Sequence, residues 1–269
     1  MDKKKEFRKK VLNFYQKNKR EFPWRNTTDP YKILISELML QQTQTYRVLP
    51  KYEEFLKRFK GFEELAKASQ EDVLRAWNGL GYNRRALYLK RISKARFWTS
   101  QNDEWLNPEF LKTLPGIGPN TAGSIYVFVT NKPYIFIETN IRRVFIHEFF
   151  EDQDSISDKQ ILELVEKTLD RKKPREWYYA LMDYGAYLAK TQVNPNRKSK
   201  HYTKQSKFGG SMRQTRGRIL KILLKTGKIE LAELVKNFED KANFNEALKQ
   251  LENEKFLAKS TKNVVELIL

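Results

Sequence analysis

The sequence predicts an all-α protein of more than one module, on the basis of three observations. Apolar residues recur every three to four positions along most of the chain, which is the spacing of a helix with one buried face. Short joints that contain glycine or proline, such as Asn78-Gly79-Leu80-Gly81, separate these segments. With 269 residues, 40% of them hydrophobic, the chain is long enough for two or three compact cores.

The first hundred residues contain a series of predicted helices. Phe7 and Val11 lie on the apolar face of the first helix, and Pro23 interrupts the pattern after it. Asp29 and Pro30 then form an N-cap and first-turn pair that begins a long apolar helix. The helices predicted after Pro30 in this part of the chain cover residues 31–49, 51–59, 62–67, 70–77 and 83–99.

Residues 108–122 read as a helix-hairpin-helix DNA-binding element. A short helix over 108–113 precedes Leu114-Pro115-Gly116-Ile117-Gly118-Pro119, in which Gly116 and Gly118 permit a turn that side chains would obstruct. Pro119 suits the first position of the next helix, and the small residues from Thr121 onward let that helix pack closely. The amides at its start can hold a DNA phosphate. The alternative is a loop between two core helices.

The rest of the chain is predicted to be helical up to a basic linker at 191–212. Tyr134 to Ile137 looks extended, and helices follow over about 140–150, 158–170 and 174–189. Residues 213–269 then read as a winged-helix-like domain of three helices, at 213–226, 229–238 and 242–256, and a hairpin with its turn at Ser260 to Asn263. Its candidate recognition helix is Asn243–Glu254; the alternative is a small helical cap without a nucleic-acid role.

Charge and composition favour a nucleic-acid partner. The net charge is +19 and the pI about 9.8, so the chain is expected to bind a polyanion. The sequence has no cysteine, which excludes disulfides, thiolate metal sites and a cysteine-bound iron–sulfur cluster. We expect no membrane span and no signal peptide, and therefore a cytoplasmic protein that is nucleoid-associated if its source is prokaryotic.

Glu37 is the first candidate catalytic residue. On a helix its neighbours at three and four residues include Ile33, Leu34 and Leu40. Apolar surroundings raise the pKa of a carboxyl group, which suits a general acid near neutral pH. The alternative is a charge at the edge of a packed helix.

Glu138 is the second candidate. It lies between an extended segment and a helix that begins near Asn140, where the helix dipole and open amides favour the anion. We therefore expect Glu138 to stay charged, so that the two carboxylates are pushed in opposite directions, as in an acid/base pair. The alternative is that Glu138 only caps the helix.

Polar and basic residues elsewhere suit contacts with DNA. Glutamine amides can bind base edges or enter the base stack, and Tyr82 offers a ring for stacking. His147 and His201 are too far apart in sequence to suggest a metal site. The residues expected to contact DNA are Gln41, Gln42, Thr43, Tyr82, Arg84, Arg85, Gly116, Gly118, Thr121, Arg142 and Arg143.

Seven motifs within residues 5–190 carry a family resemblance: Phe22-Pro23-Trp24-Arg25, Asp29-Pro30-Tyr31-Lys32, Ser36-Glu37-Leu38-Met39-Leu40-Gln41-Gln42-Thr43-Gln44, Gly79-Leu80-Gly81-Tyr82, Leu114–Ala122, Asn140-Ile141-Arg142-Arg143-Val144 and Ala180-Leu181-Met182-Asp183-Tyr184-Gly185-Ala186. Together they resemble the helix-hairpin-helix base-excision DNA glycosylases, and within these the MutY-like adenine glycosylases. The run from Ser36 to Gln44 is the most specific motif.

The resemblance implies a role for each matching position. Glu37 matches the acid that protonates adenine on a ring nitrogen, and Asn140 matches a polar residue near the sugar, so the implied catalytic residues are Glu37, Glu138 and Asn140. Gln42 and Tyr82 match residues that probe the stack beside the mispair. The base pocket would be lined by Trp24, Arg25, Leu40, Asn120 and Asp183.

The resemblance also implies an arrangement of domains. A helical domain with the hairpin would span 24–133, and a second would combine 1–23 with 134–190. The linker 191–212 and the winged-helix-like domain 213–269 would follow. We expect a monomer without a metal cofactor, except for an alkali-metal ion that the hairpin carbonyls could hold, and double-stranded DNA with a mismatch or lesion as the partner.

The chain departs from the family pattern at four points. Glu138 stands where the family has Asp, and Asn120 stands where glycosylase/lyases carry a Schiff-base Lys and many adenine glycosylases a Tyr or Ser. The four cluster cysteines are absent. The predicted winged-helix-like domain occupies the place of the domain that helps to recognise 8-oxoguanine.

These features favour a monofunctional glycosylase that removes a mismatched or damaged base, with adenine opposite guanine or 8-oxoguanine first. A thymine- or uracil-type mismatch glycosylase is the runner-up within the enzyme class. A catalytically silent DNA-binding protein is the alternative outside it.

Overall fold

The computed structural model describes residues 2–95, 103–204 and 207–268. Its α-helices are, in chain order, α1 (Lys3–Asn18), α2 (Pro30–Leu40), α3 (Thr45–Arg58), α4 (Phe62–Lys67), α5 (Gln70–Trp77), α6 (Arg84–Lys94), α7 (Pro108–Leu111), α8 (Pro119–Thr130), α9 (Thr139–Phe149), α10 (Asp158–Thr168), α11 (Pro174–Thr191), α12 (Met212–Thr226), α13 (Leu231–Lys236) and α14 (Lys241–Asn253). Short 3-10 helices cover Pro23–Arg25, Asp103–Leu106 and Pro195–Lys198. The strands are β1 (Lys228–Glu230), β2 (Leu257–Lys259) and β3 (Val264–Leu267).

Internal contacts divide the chain into two compact units. Unit 1 contains residues 1–37 and 101–204, and unit 2 contains 38–100 and 205–269. The domain bounds expected from the resemblance differ from these two units, and they stay a prediction. No helix among the described residues is both long and apolar enough to cross a membrane.

The core of unit 1 is built around α11, which packs against α1 and α9. The ring centroid of Phe7 lies 5.2 Å from that of Phe145 and 5.9 Å from that of Trp177. All three rings are buried, and each such ring removes a large apolar area from water. The predicted apolar face of the first helix is therefore confirmed.

The hairpin of unit 1 connects α7 to α8. Gly116 has φ +78°, in the left-handed region that favours glycine, and Pro119 stands in the first turn of α8 as predicted. The expectation for Gly118 is wrong within this unit, because its backbone is extended at φ −87° and a Cβ would meet no atom within 4 Å. Gly123 is needed for close packing, since a Cβ there would lie 2.7 Å from the Phe136 Cβ.

Part of the predicted linker is packed against unit 1. Asn196 lies in a 3-10 helix, is buried, and donates from Nδ2 to the Thr139 carbonyl at 3.0 Å. Ser199 forms an isolated bridge with Ile156. This part of the predicted linker therefore belongs to the fold of unit 1.

Unit 2 begins with a break that the sequence pattern did not predict. The single helix expected over 31–49 is two helices, α2 and α3, because Gln42 adopts φ +55° and ends the helical path. Helices α4 and α5 match the predicted bounds. Phe55 and Trp77 are buried, with ring centroids 6.1 Å apart.

Residues 212–268 of unit 2 form a small α/β module, called the C-terminal module below. Its sheet is antiparallel with the order β1-β3-β2, and Lys228 pairs with Glu266 while Leu257 pairs with Leu267. The predicted order of three helices and a hairpin is confirmed. The helix expected over 229–238 is wrong at its start, since these residues first pair as β1 and turn helical only at Leu231.

The predicted all-helical class is confirmed for the described residues, which add one small sheet to the helices. Most helix bounds follow from apolar periodicity, because each helix buries one face in its own unit.

Candidate active site

Glu37 lies on α2 in unit 1, half-buried and beside a serine of α8. The Ser124 hydroxyl donates a hydrogen bond to Glu37 Oε2. Burial raises the pKa of Glu37 to about 7, and the hydrogen bond from Ser124 offsets part of the rise. The expectation of a carboxyl group with a raised pKa is confirmed.

Glu138 is the N-cap of α9. Its Oε1 accepts from the amides of Asn140 and Ile141, each at 2.8 Å, and its Oε2 accepts from Asn140 Nδ2 at 3.2 Å. The predicted capping position is confirmed.

The expectation that the helix start shifts the pKa of Glu138 in favour of the anion is wrong in direction. Burial raises the pKa of Glu138, and the two amides together with the cations Arg142 and Arg143 offset only part of that rise. Desolvation thus outweighs the helix start. Both carboxyl groups therefore have raised pKa values, although only Glu138 accepts several charge-stabilising hydrogen bonds.

The two carboxyl groups influence each other. The negative charge of Glu138 contributes to the raised pKa of Glu37, as expected when two carboxylates share a site. With a pKa of about 7, Glu37 is partly protonated at neutral pH and can donate a proton. Glu138, held by backbone amides, is the group of the pair better suited to be the anion.

Asn140 is held on both sides by groups of unit 1. Arg143 Nη1 donates to Asn140 Oδ1 at 2.6 Å and to the Gly185 carbonyl at 2.9 Å. A Cβ on Gly185 would overlap the Asn140 backbone, so glycine is required where α11 meets the start of α9. Asn140 in turn donates to Glu138, which extends the chain of bonds to the carboxylate.

Arg25 and Asp183 form a buried ion pair in unit 1. Arg25 Nη1 and Nη2 donate to the two carboxylate oxygens of Asp183 at 2.8 and 2.7 Å, and Arg20 Nε donates to Oδ1 at 2.5 Å. Burial opposes ionisation of Asp183, but bonds from Arg25 and Arg20 hold its pKa below the usual range. The Arg25 guanidinium also lies 4.6 Å from the Tyr179 ring centroid.

Other predicted pocket residues have separate surroundings. Trp24 is buried and stacks on Phe22, with ring centroids 4.8 Å apart. Asn120 is exposed on α8, and its Oδ1 accepts from the Ile137 amide at 3.2 Å. Leu40 ends α2 in unit 2, where it is half-buried.

The predicted stacking residues of unit 2 lie on two turns. Gln42 is exposed, and Tyr82 is half-buried with φ +47°, after Gly79 at φ +98° and Gly81 at φ +74°. Arg85 bonds to both turns. Its Nη1 donates to the carbonyls of Leu38, Met39 and Gln41, next to the turn at Gln42, at 2.6 to 2.9 Å. Its Nη2 donates to Thr43 Oγ1 and to the Gly81 carbonyl, each at 3.0 Å.

Several residues expected to contact phosphates have protein partners. Arg85 and Arg143 are buried, and burial lowers the pKa of Arg85 to about 10. Arg142 pairs with Asp158 at 2.7 Å and Arg84 Nε donates to Glu254 at 3.2 Å. Their phosphate contacts stay a prediction, as do those of the exposed hairpin glycines, half-buried Thr121 and half-buried Gln41.

Sequence reasoning missed three residues that hold the candidate groups in place. Ser124 was read only as a small packing residue, and Arg20 was not considered. The sequence pattern gives no partner for Arg213, whose Nη1 donates to the Tyr82 hydroxyl at 2.7 Å. No local pattern could have indicated these partners, since 87 residues separate Ser124 from Glu37 and 131 separate Arg213 from Tyr82.

Comparisons with known proteins identify the family to which this chain is similar. The family model "HhH-GPD superfamily base excision DNA repair protein" matches residues 35–171. An adenine DNA glycosylase of Buchnera aphidicola subsp. Baizongia pistaciae is 35% identical over 191 residues, which cover 68% of this chain and 52% of the relative. For an adenine DNA glycosylase of Mycobacterium tuberculosis the identity is 31% over 242 residues, with 79% of this chain and 77% of the relative covered.

The fold is also similar to that of a solved structure. The structure of a thermostable thymine-DNA glycosylase matches with a TM-score of 0.61 and 28% identity, covering 68% of this chain and 86% of the other. The chain spans about half the length of the Buchnera relative.

Proposed function

The chain belongs to the HhH-GPD superfamily of base excision DNA repair proteins, and we propose that it is a monofunctional DNA N-glycosylase that removes adenine opposite guanine or 8-oxoguanine. The adenine DNA glycosylases at 31% and 35% identity support adenine as the target base. The family and the net charge of +19 support double-stranded DNA as the partner. We propose that the protein binds it as a monomer.

The observation that carries the proposal is the buried carboxyl group of Glu37, with its pKa of about 7. In the proposed reaction Glu37 gives its proton to a ring nitrogen of adenine. The protonated base then leaves with the electron pair of the N-glycosidic bond, so the bond breaks without an anionic leaving group.

Glu138 completes the proposed reaction on the sugar. Loss of the base leaves positive charge at the anomeric carbon, and the Glu138 carboxylate stabilises that charge. A water oxygen then bonds to this carbon, and the water proton passes to Glu138, whose raised pKa suits a proton acceptor. Asn140 and Arg143 keep the carboxylate in place through their hydrogen bonds.

Asn120 supports a reaction that stops at base removal. A glycosylase/lyase needs an amine that forms a Schiff base with the sugar, and the Asn120 amide cannot form one. The product DNA should stay intact until it is heated in alkali. Borohydride trapping of a covalent complex that persists in Asn120→Ala would point to another amine and contradict the monofunctional assignment.

The second candidate is removal of thymine or uracil opposite guanine. The similarity to a thermostable thymine-DNA glycosylase at 28% identity supports it. Glu37 argues for adenine, because adenine has ring nitrogens that can accept a proton, whereas the second ring nitrogen of thymine or uracil already carries a hydrogen between two carbonyl groups.

A panel of duplexes tests the proposal, each with one mismatched or modified base, under single-turnover conditions with alkali treatment. We expect excision of adenine opposite guanine or 8-oxoguanine, and none by Glu37→Gln. Excision confined to thymine or uracil would establish the second candidate. Tight binding without excision of any base would mean a catalytically silent DNA-binding protein.

A further inference from the structure

The Tyr82 turn, residues 79–82, has a strained backbone that needs contacts with residues outside the turn to hold it in place. Gly79, Gly81 and Tyr82 all have positive φ, and for Tyr82 at +47° this conformation is strained by its Cβ. Such strain persists only where surrounding contacts fix it. The contacts around Tyr82 therefore determine where its ring points.

Arg85 supplies the support from one side. Its guanidinium donates to the Gly81 carbonyl at 3.0 Å and lies 5.4 Å from the Tyr82 ring centroid. This arginine fixes the backbone of the turn, but it leaves the hydroxyl end of the Tyr82 ring to other partners.

The C-terminal module supplies a partner for that end. Arg213, in the first turn of α12, donates from Nη1 to the Tyr82 hydroxyl at 2.7 Å, and its guanidinium lies 5.8 Å from the ring centroid. The Tyr82 ring is thus flanked by two arginines, and cation–π attraction adds to the hydrogen bond.

Further hydrogen bonds join the C-terminal module to Arg84, which lies two residues after Tyr82. Arg84 and Arg216 both pair with Glu254, Arg84 Nε at 3.2 Å and Arg216 Nη2 at 2.6 Å. Burial opposes ionisation of Glu254, but bonds from both arginines hold its pKa below the usual range. Gln70 Nε2 donates to the Lys255 carbonyl at 2.9 Å. The position of Arg213 is therefore fixed relative to Tyr82.

The same residues line an open groove. It has a volume of about 450 Å³, and its walls include Gln41, Gln42, Tyr82, Met212 and Arg213. The proposed stack-probing residues and the first turn of α12 thus face one space within unit 2.

We propose that Arg213 is a positioning residue for Tyr82, so that the C-terminal module takes part in distinguishing mispaired from fully paired DNA. This inference rests on the proposed function, because it assumes that Tyr82 contacts the DNA beside the target base. It changes the expected role of the module, which would do more than add phosphate contacts.

Binding measurements on the full chain test the inference, in a Glu37→Gln background that prevents turnover. The readout is the ratio of the Kd values for a fully paired duplex and for the same duplex with one mispair. We expect Arg213→Ala and Tyr82→Phe each to reduce this ratio about three- to tenfold, the range of a lost hydrogen bond. The double variant should reduce it no further, because both changes remove the same contact.

Arg218→Ala is the matched control, since it removes an exposed arginine from the same helix. It should weaken binding to both duplexes equally and leave the ratio unchanged, as expected for a phosphate contact or general charge. Arg213→Met, which keeps side-chain bulk, should behave like Arg213→Ala if the module stays docked.

Three outcomes separate the possibilities. An unchanged ratio in Arg213→Ala, or additive effects with Tyr82→Phe, overturns the inference. Equal loss of affinity for both duplexes makes Arg213 a phosphate contact and also overturns it. If the parent protein prefers none of the mispaired duplexes, the proposed function itself fails, and this result is distinguishable because it precedes any change at Arg213.

Discussion

The carboxyl pair of unit 1 and the Tyr82 turn of unit 2 both place ionisable side chains away from water. The buried group can change its protonation state near neutral pH in the first case, whereas it stays charged in the second. Glu37 accepts a hydrogen bond from Ser124, and burial raises its pKa to about 7. Arg85 donates to six oxygens, and its pKa of about 10 keeps it charged at neutral pH. A buried group with few hydrogen-bond partners, such as Glu37, can exchange a proton near neutral pH. A buried group whose donors are all bonded, such as Arg85, stays charged and supports the surrounding backbone.

The largest expected effect tests the reactive side of this comparison. Glu37→Gln keeps the shape and the bond with Ser124 but has no proton to deliver. We expect the single-turnover rate of base excision to fall by about 10²–10⁴-fold, with DNA binding retained. Excision at the wild-type rate would refute Glu37 as the acid.

Stability provides the control for this variant. Since the pKa of Glu37 is raised on folding, its ionised form is disfavoured in the folded state, and this cost is present above about pH 7 and absent well below pH 4.5. Glu37→Gln should therefore be at least as stable as the wild type at pH 8 in a urea titration. A marked loss of stability there would mean that lost activity reflects unfolding.

The second prediction concerns the partner carboxylate. Glu138→Gln keeps an oxygen that can cap α9 but removes the charge, so we expect excision to fall about 10²–10³-fold in the same assay. Glu138→Asp keeps the charge and shifts it by roughly an ångström, enough to change the rate about a hundredfold. A faster adenine reaction would support an adenine site, whereas a slower reaction on every duplex would indicate adaptation to another substrate.

The third prediction tests whether Arg85 holds the two turns of unit 2 in place. Arg85→Leu removes five donors and leaves buried carbonyls of two turns without them, so we expect a loss of about 3 kcal/mol or more in the free energy of unfolding. Urea denaturation measures this loss, with exposed Arg91→Leu as the control. A change below about 0.5 kcal/mol would show that the bonds to Arg85 do not hold the turns together.

The smallest expected effect refines the pKa of Glu37. The Ser124 hydrogen bond lowers this pKa, so Ser124→Ala should raise it. Because Glu37 must be protonated, excision should decline above about pH 7, and the midpoint of that decline should move to higher pH in the variant. Ser36→Ala, which removes a hydroxyl that donates to the Ile33 carbonyl instead, should leave the midpoint in place; a shift to lower pH in Ser124→Ala would contradict the assignment.

Local patterns in the sequence determined most helices, the hairpin, and the positions of Glu37 and Glu138. They could do so because the apolar spacing, the capping residues and the helix-breaking residues of a helix all lie within a few positions of one another. Packing decided what those patterns cannot encode. The direction of the pKa shift of Glu138 depends on how much water the fold removes. The Gln41 carbonyl, beside the break at Gln42, accepts from Arg85, which lies 44 residues further along the chain. The partners of Glu37 and Tyr82 come from α8 and α12, and only the tertiary structure brings such distant side chains together.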